Sequence, residues 1–187
     1  MNIVIVGTGY VGLVSGTCFA EFGFSVTCCD QRKDIIDGLN NGVIPIFEPG
    51  LDALISKNIK AGRLHFTNDL ASSVTAADIV FIAVGTPTNE TDGSADLSYV
   101  MTASKEISQN LQGYTVIVTK STVPVDTNKK IAKLITKTNP GAEFDVVSNP
   151  EFLREGSAIT DFMQPDRVVV GTTVPRARTL MEKLYAP

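Results

Sequence analysis

Apolar residues in this chain gather in short runs, nearly continuous at 78–84, separated by stretches of helical periodicity, an alternation that predicts a sheet with both faces covered by helices. The runs lie at residues 3–6, 26–29, 64–67, 78–84, 115–119, 144–148 and 167–170, and each is read as a strand. Helical spacing occupies the intervals. It runs from the turn after residue 6 to near Gly23, over 34–41 through Ile35, Ile36 and Leu39, and over 51–58 through Leu51, Leu54 and Ile55. It returns from a cap at Asp96 through Leu97, Val100, Met101, Ile107 and Leu111, then over 126–138 and 176–185. Asn40-Asn41-Gly42 supplies a stop, and Asn68 or Asp69 caps the turn after the third run. Pro45, Pro49 and Gly50 exclude a regular helix over 43–50, so that stretch is expected to be an irregular loop packed on the fold. Strands alternating with helices in this way build a doubly wound α/β fold with a mainly parallel sheet.

The first thirty residues specify more. After the opening run come Gly7, Gly9 and Gly12, a helix, a second run and then Asp30. Strand, glycine turn, helix, strand and acid, with the acid about 20 residues on, is the order of a Rossmann-like dinucleotide-binding βαβ unit. Gly7 serves the tight turn, Gly9 lets backbone N–H groups approach a pyrophosphate, and Gly12 lets helix and strand pack closely. The helix N-terminus attracts the phosphates without any lysine in the turn. Asp30 accepts hydrogen bonds from ribose hydroxyls and repels a 2′-phosphate, which favours NAD over NADP. Arg32 and Lys33 argue the other way, since basic side chains there can hold that phosphate. A glycine-rich turn in a domain that has lost its ligand is the alternative reading.

Three polar loops leave the carboxyl ends of strands: Gly85-Thr86-Pro87, Lys120 to Pro124, and Asn149 to Gly156. In an open α/β sheet such loops converge on the ligand crevice. Between the first loop and Asp96, residues 88–95 with Asp92-Gly93 are polar and turn-rich.

Composition narrows the function. With 187 residues, 43% hydrophobic and 19% charged, the chain has enough apolar material for one domain over 1–187 and is not largely disordered. A formal net charge of −4 and no basic cluster longer than a pair leave no footprint for nucleic acid or an anionic membrane. The first residues read as a buried strand with no leader, so a cytoplasmic setting is expected. Cys18, Cys28 and Cys29 suit neither a disulfide framework nor a metal site and read as small core residues; no metal is expected. The single histidine, His65, is read as structural rather than catalytic. The helical stretch from Arg176 has no stop before Pro187, which suggests one domain of a longer protein.

Six stretches taken together resemble the UDP-glucose/GDP-mannose dehydrogenase family, in order and over essentially the whole chain. They are residues 7–13, 45–51, 85–87, 92–100, 120–124 and 149–156. The resemblance implies a two-step oxidation of a sugar 6-hydroxyl to a carboxylate, consuming two NAD⁺ and one water. UDP-glucose, oxidised to UDP-glucuronate, is the expected substrate, within the nucleotide-sugar metabolism that supplies polysaccharide synthesis. It further implies that a cysteine in a later domain holds the substrate as a thiohemiacetal and then a thioester. Thr122 would hold the attacking water and Glu151 would act as its general base, since water attacks a thioester usefully only when a nearby group takes its proton.

By the same resemblance Tyr10, Val11, Gly85, Thr86, Pro87, Thr122 and Glu155 join Gly7, Gly9, Gly12 and Asp30 around the cofactor. Glu151, Phe152, Leu153, Arg154 and Glu155 line the sugar-nucleotide pocket. An exposed loop acid is the alternative for Glu151, a plain turn or cap residue for Thr122, and a solvated surface charge for Arg154. Where many family members carry a lysine five positions beyond the ribose-binding acid, this chain has Ile35, so a charged cofactor contact is missing unless Arg32 or Lys33 replaces it. The three cysteines lie in no family cysteine motif. A central helix, through which family members commonly form homodimers, and a C-terminal UDP-binding domain are therefore expected elsewhere, and this stretch alone is expected to bind NAD without turnover. GDP-mannose and UDP-N-acetyl-hexosamine oxidation, and a non-catalytic nucleotide-sensing module, are the competing readings.

Overall fold

The computed structural model of the chain describes residues 1–89, 91 and 93–187; Asp92, part of one of the resembling stretches, lies outside the described residues. Six strands form one sheet: β1 (Asn2–Val6), β2 (Ser25–Cys29), β3 (Leu64–Thr67), β4 (Ile79–Ile82), β5 (Tyr114–Thr119) and β6 (Glu143–Ser148). Their order is β3-β2-β1-β4-β5-β6, and every pairing is parallel. This is the doubly wound arrangement, with the topological switch between β1 and β4.

Period-two side-chain alternation sends successive residues of each strand into opposite layers. Ile3 and Ile5 point to one face, where they meet α1 (Tyr10–Glu21), α2 (Lys33–Asn40), α3 (Leu51–Lys60), α7 (Ala158–Met163) and α8 (Pro175–Leu184). Val4 and Val6 point to the other, against α4 (Leu70–Thr75), α5 (Ser98–Ser108) and α6 (Thr127–Thr138). Both faces are therefore dry, which explains why β4 carries no polar residue. Phe19 of α1 is the centre of the first layer: its ring stacks on Phe81 at 5.2 Å and meets Phe162 edge-on at 4.9 Å.

Four local readings need correction. Residues 167–170 are not a strand; the neighbouring Gly171 makes a single antiparallel bridge to Ser148, while Val168 and Val169 stay 39% and 41% exposed. That segment meets the edge of β6 through one antiparallel bridge only, and of its apolar residues Val170 alone packs against the first core, so no ladder forms. Asp96 does not cap α5 directly. Its carboxylate accepts from the Ser98 N–H at 2.8 Å, and Leu97 occupies the cap position. Helices α4 and α7 arise where only turns or loops were expected, because six residues are too few to establish a period. Asp69 does cap α4, accepting from the Ser72 N–H at 3.0 Å.

Candidate functional site

The crevice is assembled at the carboxyl ends of β1, β4 and β5. Gly7 leaves β1 at φ +104 and donates its N–H to the Cys29 carbonyl at 2.8 Å, so the turn is tied to β2 as it begins. Its own Cβ, if present, would lie 2.7 Å from the Ala83 carbonyl oxygen. Gly12 is more constrained, since a Cβ there would sit 2.0 Å from the Gly7 carbonyl oxygen. Gly9, which caps α1, is different: a Cβ there would meet no protein atom within 4 Å. Two of the three glycines thus close the turn on the protein and the third leaves space in front of it, as a pyrophosphate at a helix N-terminus requires.

Asp30 stands at the end of β2, and its Oδ2 accepts from both the Thr8 N–H and the Thr8 hydroxyl at 2.8 Å. Its Oδ1 accepts from the Arg32 N–H at 3.0 Å. The two basic side chains that argued for a 2′-phosphate each pair with an acid on the exposed surface. The Arg32 guanidinium pairs with Asp34 at 2.7 Å, and the Lys33 ammonium with Asp37 at 2.7 Å. Ile35 packs partly buried on the core and offers no charge where many family members carry a lysine. A cavity of about 410 Å³ opens between the two halves of the sheet, lined by Gly7, Gly9, Asp30 and Arg32 on one side and Val84, Gly85 and Tyr99 on the other. Size and lining fit the adenosine end of a dinucleotide.

A second cavity of about 260 Å³ continues across the glycine turn, and its lining joins Gly9, Tyr10 and Val11 to Gly85, Thr86, Lys120, Thr122 and Glu151. The loops around it are stitched together: the Thr86 hydroxyl donates to the Thr122 carbonyl at 3.1 Å, and the Ser121 hydroxyl to the Val84 carbonyl at 2.6 Å. The Glu151 Oε2 accepts from the Leu153 N–H at 2.6 Å, which orients the carboxylate. Glu151, Phe152 and Leu153 also border a small adjoining cavity of about 50 Å³.

Other sequence-derived candidates stand apart from these cavities. Pro87 and Glu155 line none of them, and Arg154 donates to Asp161 from its backbone N–H at 2.9 Å and from its guanidinium at 2.7 Å. Gly12 acts through packing alone. His65 is exposed, with Nε2 3.1 Å from the Gly62 carbonyl oxygen. The cysteines are buried and free; burial pushes the Cys18 thiol up to about 12, the Cys29 thiol up to about 11 and the Cys28 thiol higher, so none is a ready nucleophile. Among the described residues no cluster of His, Cys, Asp or Glu is arranged to hold a metal ion, and no helix is long and apolar enough to cross a membrane.

Two residues of the site escaped the sequence reading. Glu48, 5% exposed, accepts from the Tyr10 hydroxyl and from the Gly156 and Ala158 N–H groups at 2.8 Å. Burial works to raise its pKa, but those hydrogen bonds together hold it below the usual carboxylate range. Burial, and then the bond to Glu48, push the Tyr10 phenol up to about 12. One carboxylate thus fastens the helix behind the glycine turn to the end of the loop that carries Glu151. Its signal lay in the spacing of Pro45, Glu48 and Pro49, an acid inside an apolar, helix-breaking loop. The other is Lys120, 4% exposed, whose ammonium is pushed down to about 8 by burial, with Glu151 opposing the shift.

An all-parallel doubly wound sheet, a glycine turn open at its middle glycine and an acid at the end of the second strand define a dinucleotide-binding domain. Comparison with known proteins makes the assignment specific. Residues 1–187 match the UDP-glucose/GDP-mannose dehydrogenase family, NAD binding domain, and the chain belongs to that family. It is 57% identical to the UDP-glucose 6-dehydrogenase of Rhizobium meliloti, over all of this chain and 43% of that protein. Among solved structures, a UDP-glucose dehydrogenase from the hyperthermophilic archaeon Pyrobaculum islandicum superposes with a TM-score of 0.95 at 39% identity, covering 99% of this chain and 44% of that one. A GDP-mannose dehydrogenase from Pseudomonas aeruginosa gives 0.94 at 36% identity, covering 100% and 44%. The chain therefore spans about two fifths of the length of such relatives.

Proposed function

We propose that this chain is the cofactor-binding part of a longer dehydrogenase that oxidises the 6-hydroxyl of UDP-glucose to a carboxylate, using two NAD⁺ and one water. The observation that carries the reading is the second cavity, where Gly9, Tyr10 and Val11 share walls with Thr122 and Glu151. NAD⁺, when bound, supplies the hydride acceptor. The open face of Gly9 and the N-terminus of α1 take the pyrophosphate, Asp30 takes the ribose hydroxyls, and Gly85 and Thr86 close the far wall. Thr122 holds the water and Glu151 removes its proton as it attacks a thioester formed on a cysteine outside these residues. Phe152, Leu153, Arg154 and Glu155 would meet the sugar nucleotide, and Pro87 and Glu155 the cofactor. The substrate domain, the partner across a dimer and the base-reading pocket belong to the remainder of that longer protein, which the partial coverage of its relatives supports. Three buried free cysteines favour a reducing, cytoplasmic setting.

The test is Glu151→Gln in the full-length enzyme, followed by single-turnover kinetics. Thioester hydrolysis is expected to slow by about a hundredfold, the scale of a lost general base, with the first hydride transfer nearly unchanged. Equal losses in both steps refute the assignment. Oxidation of GDP-mannose is the second reading, favoured by the closeness of that neighbour's fold. Turnover of GDP-mannose in preference to UDP-glucose would establish it.

A further inference from the structure

Lys120 lies at the end of β5, almost wholly buried, on the wall between the two cavities that Glu151 borders. Its surroundings are not those of a structural ammonium. Nζ donates to the Asn149 Oδ1 at 3.3 Å and lies 5.7 Å from the centre of the Phe162 ring. Of the nearby acids, Asp161 is paired with Arg154, while Glu151, its Oε2 held by the Leu153 N–H, acts on the ammonium through space rather than by a direct bond. The other charged or titratable groups bordering this pocket are Arg167 and the Tyr185 hydroxyl, which itself donates to Asn149 Oδ1 at 2.5 Å. The Asn149 Nδ2 donates to the Val169 carbonyl at 2.8 Å. A buried cation with a neutral acceptor and no dedicated counter-ion lowers stability, and a methionine would fill the same space without that cost. A lysine held there is serving something other than the fold.

We propose that Lys120 is a positioning residue for the water-attack step: its ammonium fixes the Asn149 amide at the root of the loop that carries Glu151 and places a positive charge in the cavity those two residues share. This rests on the reading of Glu151 as the base. With the ammonium in place, the Asn149 oxygen is gripped from two sides, by Lys120 and Tyr185, and the loop leaves β6 in one orientation. The charge also favours the negative charge that develops as water adds to the reacting carbonyl. Because burial brings the lysine down to about 8, the device is intact at neutral pH and is lost as pH rises past that value.

The experiment compares Lys120→Met and Glu151→Gln in the full-length enzyme by single-turnover kinetics across pH, with a thermal melt of each. For Lys120→Met we expect hydrolysis slower by at least about tenfold at neutral pH, the first hydride transfer within about twofold, and a Tm equal to or above that of the parent. The parent's hydrolysis should fall above about pH 8 and the variant should lack that limb. Hydrolysis unchanged in rate and pH profile overturns the inference. So does a loss shared by both steps together with a lowered Tm, which would mark a structural lysine. If Glu151→Gln slows hydrolysis while Lys120→Met does not, the inference fails alone; if neither does, the base assignment beneath it fails as well.

Discussion

Glu48→Ala tests whether one buried carboxylate fastens the two walls of the crevice. Removing it strands three donors: the Tyr10 hydroxyl and the Gly156 and Ala158 N–H groups. A hydrogen bond to a charged group contributes about 1.5–3 kcal/mol, and a buried donor left unpaired costs about 1–3 kcal/mol. The three are not additive, because water can enter once the side chain is gone, so the expected loss is about 3–5 kcal/mol rather than their sum. For a domain of this size that corresponds to a fall in Tm of about 10 °C. The acid dependence follows from the depressed pKa of Glu48. The folded state holds the carboxylate below the unfolded value of about 4.3, so its stabilisation is complete above that pH and fades as pH drops through the folded value. The gap in Tm between parent and variant should therefore be widest near neutrality and narrow below about pH 4. Differential scanning calorimetry at several pH values measures both. A shift under about 3 °C at pH 7, or a gap that stays constant into acid, refutes the reasoning.

The glycine turn makes two separable predictions. Gly12→Ala forces a Cβ to within 2.0 Å of the Gly7 carbonyl oxygen and should destabilise the chain by more than about 3 kcal/mol in denaturant titration. Gly9→Ala meets no protein atom within 4 Å, so the melt should be nearly unchanged while calorimetric NAD⁺ affinity falls by at least about tenfold. An unfolded Gly9→Ala, or one that binds normally, contradicts the division of roles. For Asp30→Ser, NAD⁺ affinity should drop by about tenfold and NADP⁺ affinity should hold or rise. Equal drops for both would mean that Asp30 supports the turn without discriminating.

The backbone plan was legible because most strands of the sheet are short, largely apolar runs and most crossover helices are long enough to show their period, the six-residue α4 being the exception. The turn at Gly7, Gly9 and Gly12 was legible because its chemistry is local. Glu48 and Lys120 were harder: an acid inside a helix-breaking loop is a local signal for Glu48, but the partners, Gly156 more than 100 residues away and Asn149 about 30 from Lys120, are encoded in no local pattern. The strand expected over 167–170 failed for the converse reason. Its composition suits a strand, but the last edge of the sheet offers it one bridge rather than a ladder. For Arg154 the sequence left a ligand-facing cation and a surface charge open, and its contact with Asp161, seven residues on, was visible only in the fold.

The grip of Thr8 on Asp30 has a bearing on recognition itself. A free aspartate at a strand end samples several rotamers and must be frozen when a ribose arrives, at about 0.5–1.5 kcal/mol for an immobilised side chain. Here the polypeptide has already settled that conformation through the glycine turn itself. In the proposed binding mode the two ends of the adenosine moiety would meet a single prearranged template, with affinity gained from entropy not spent on docking.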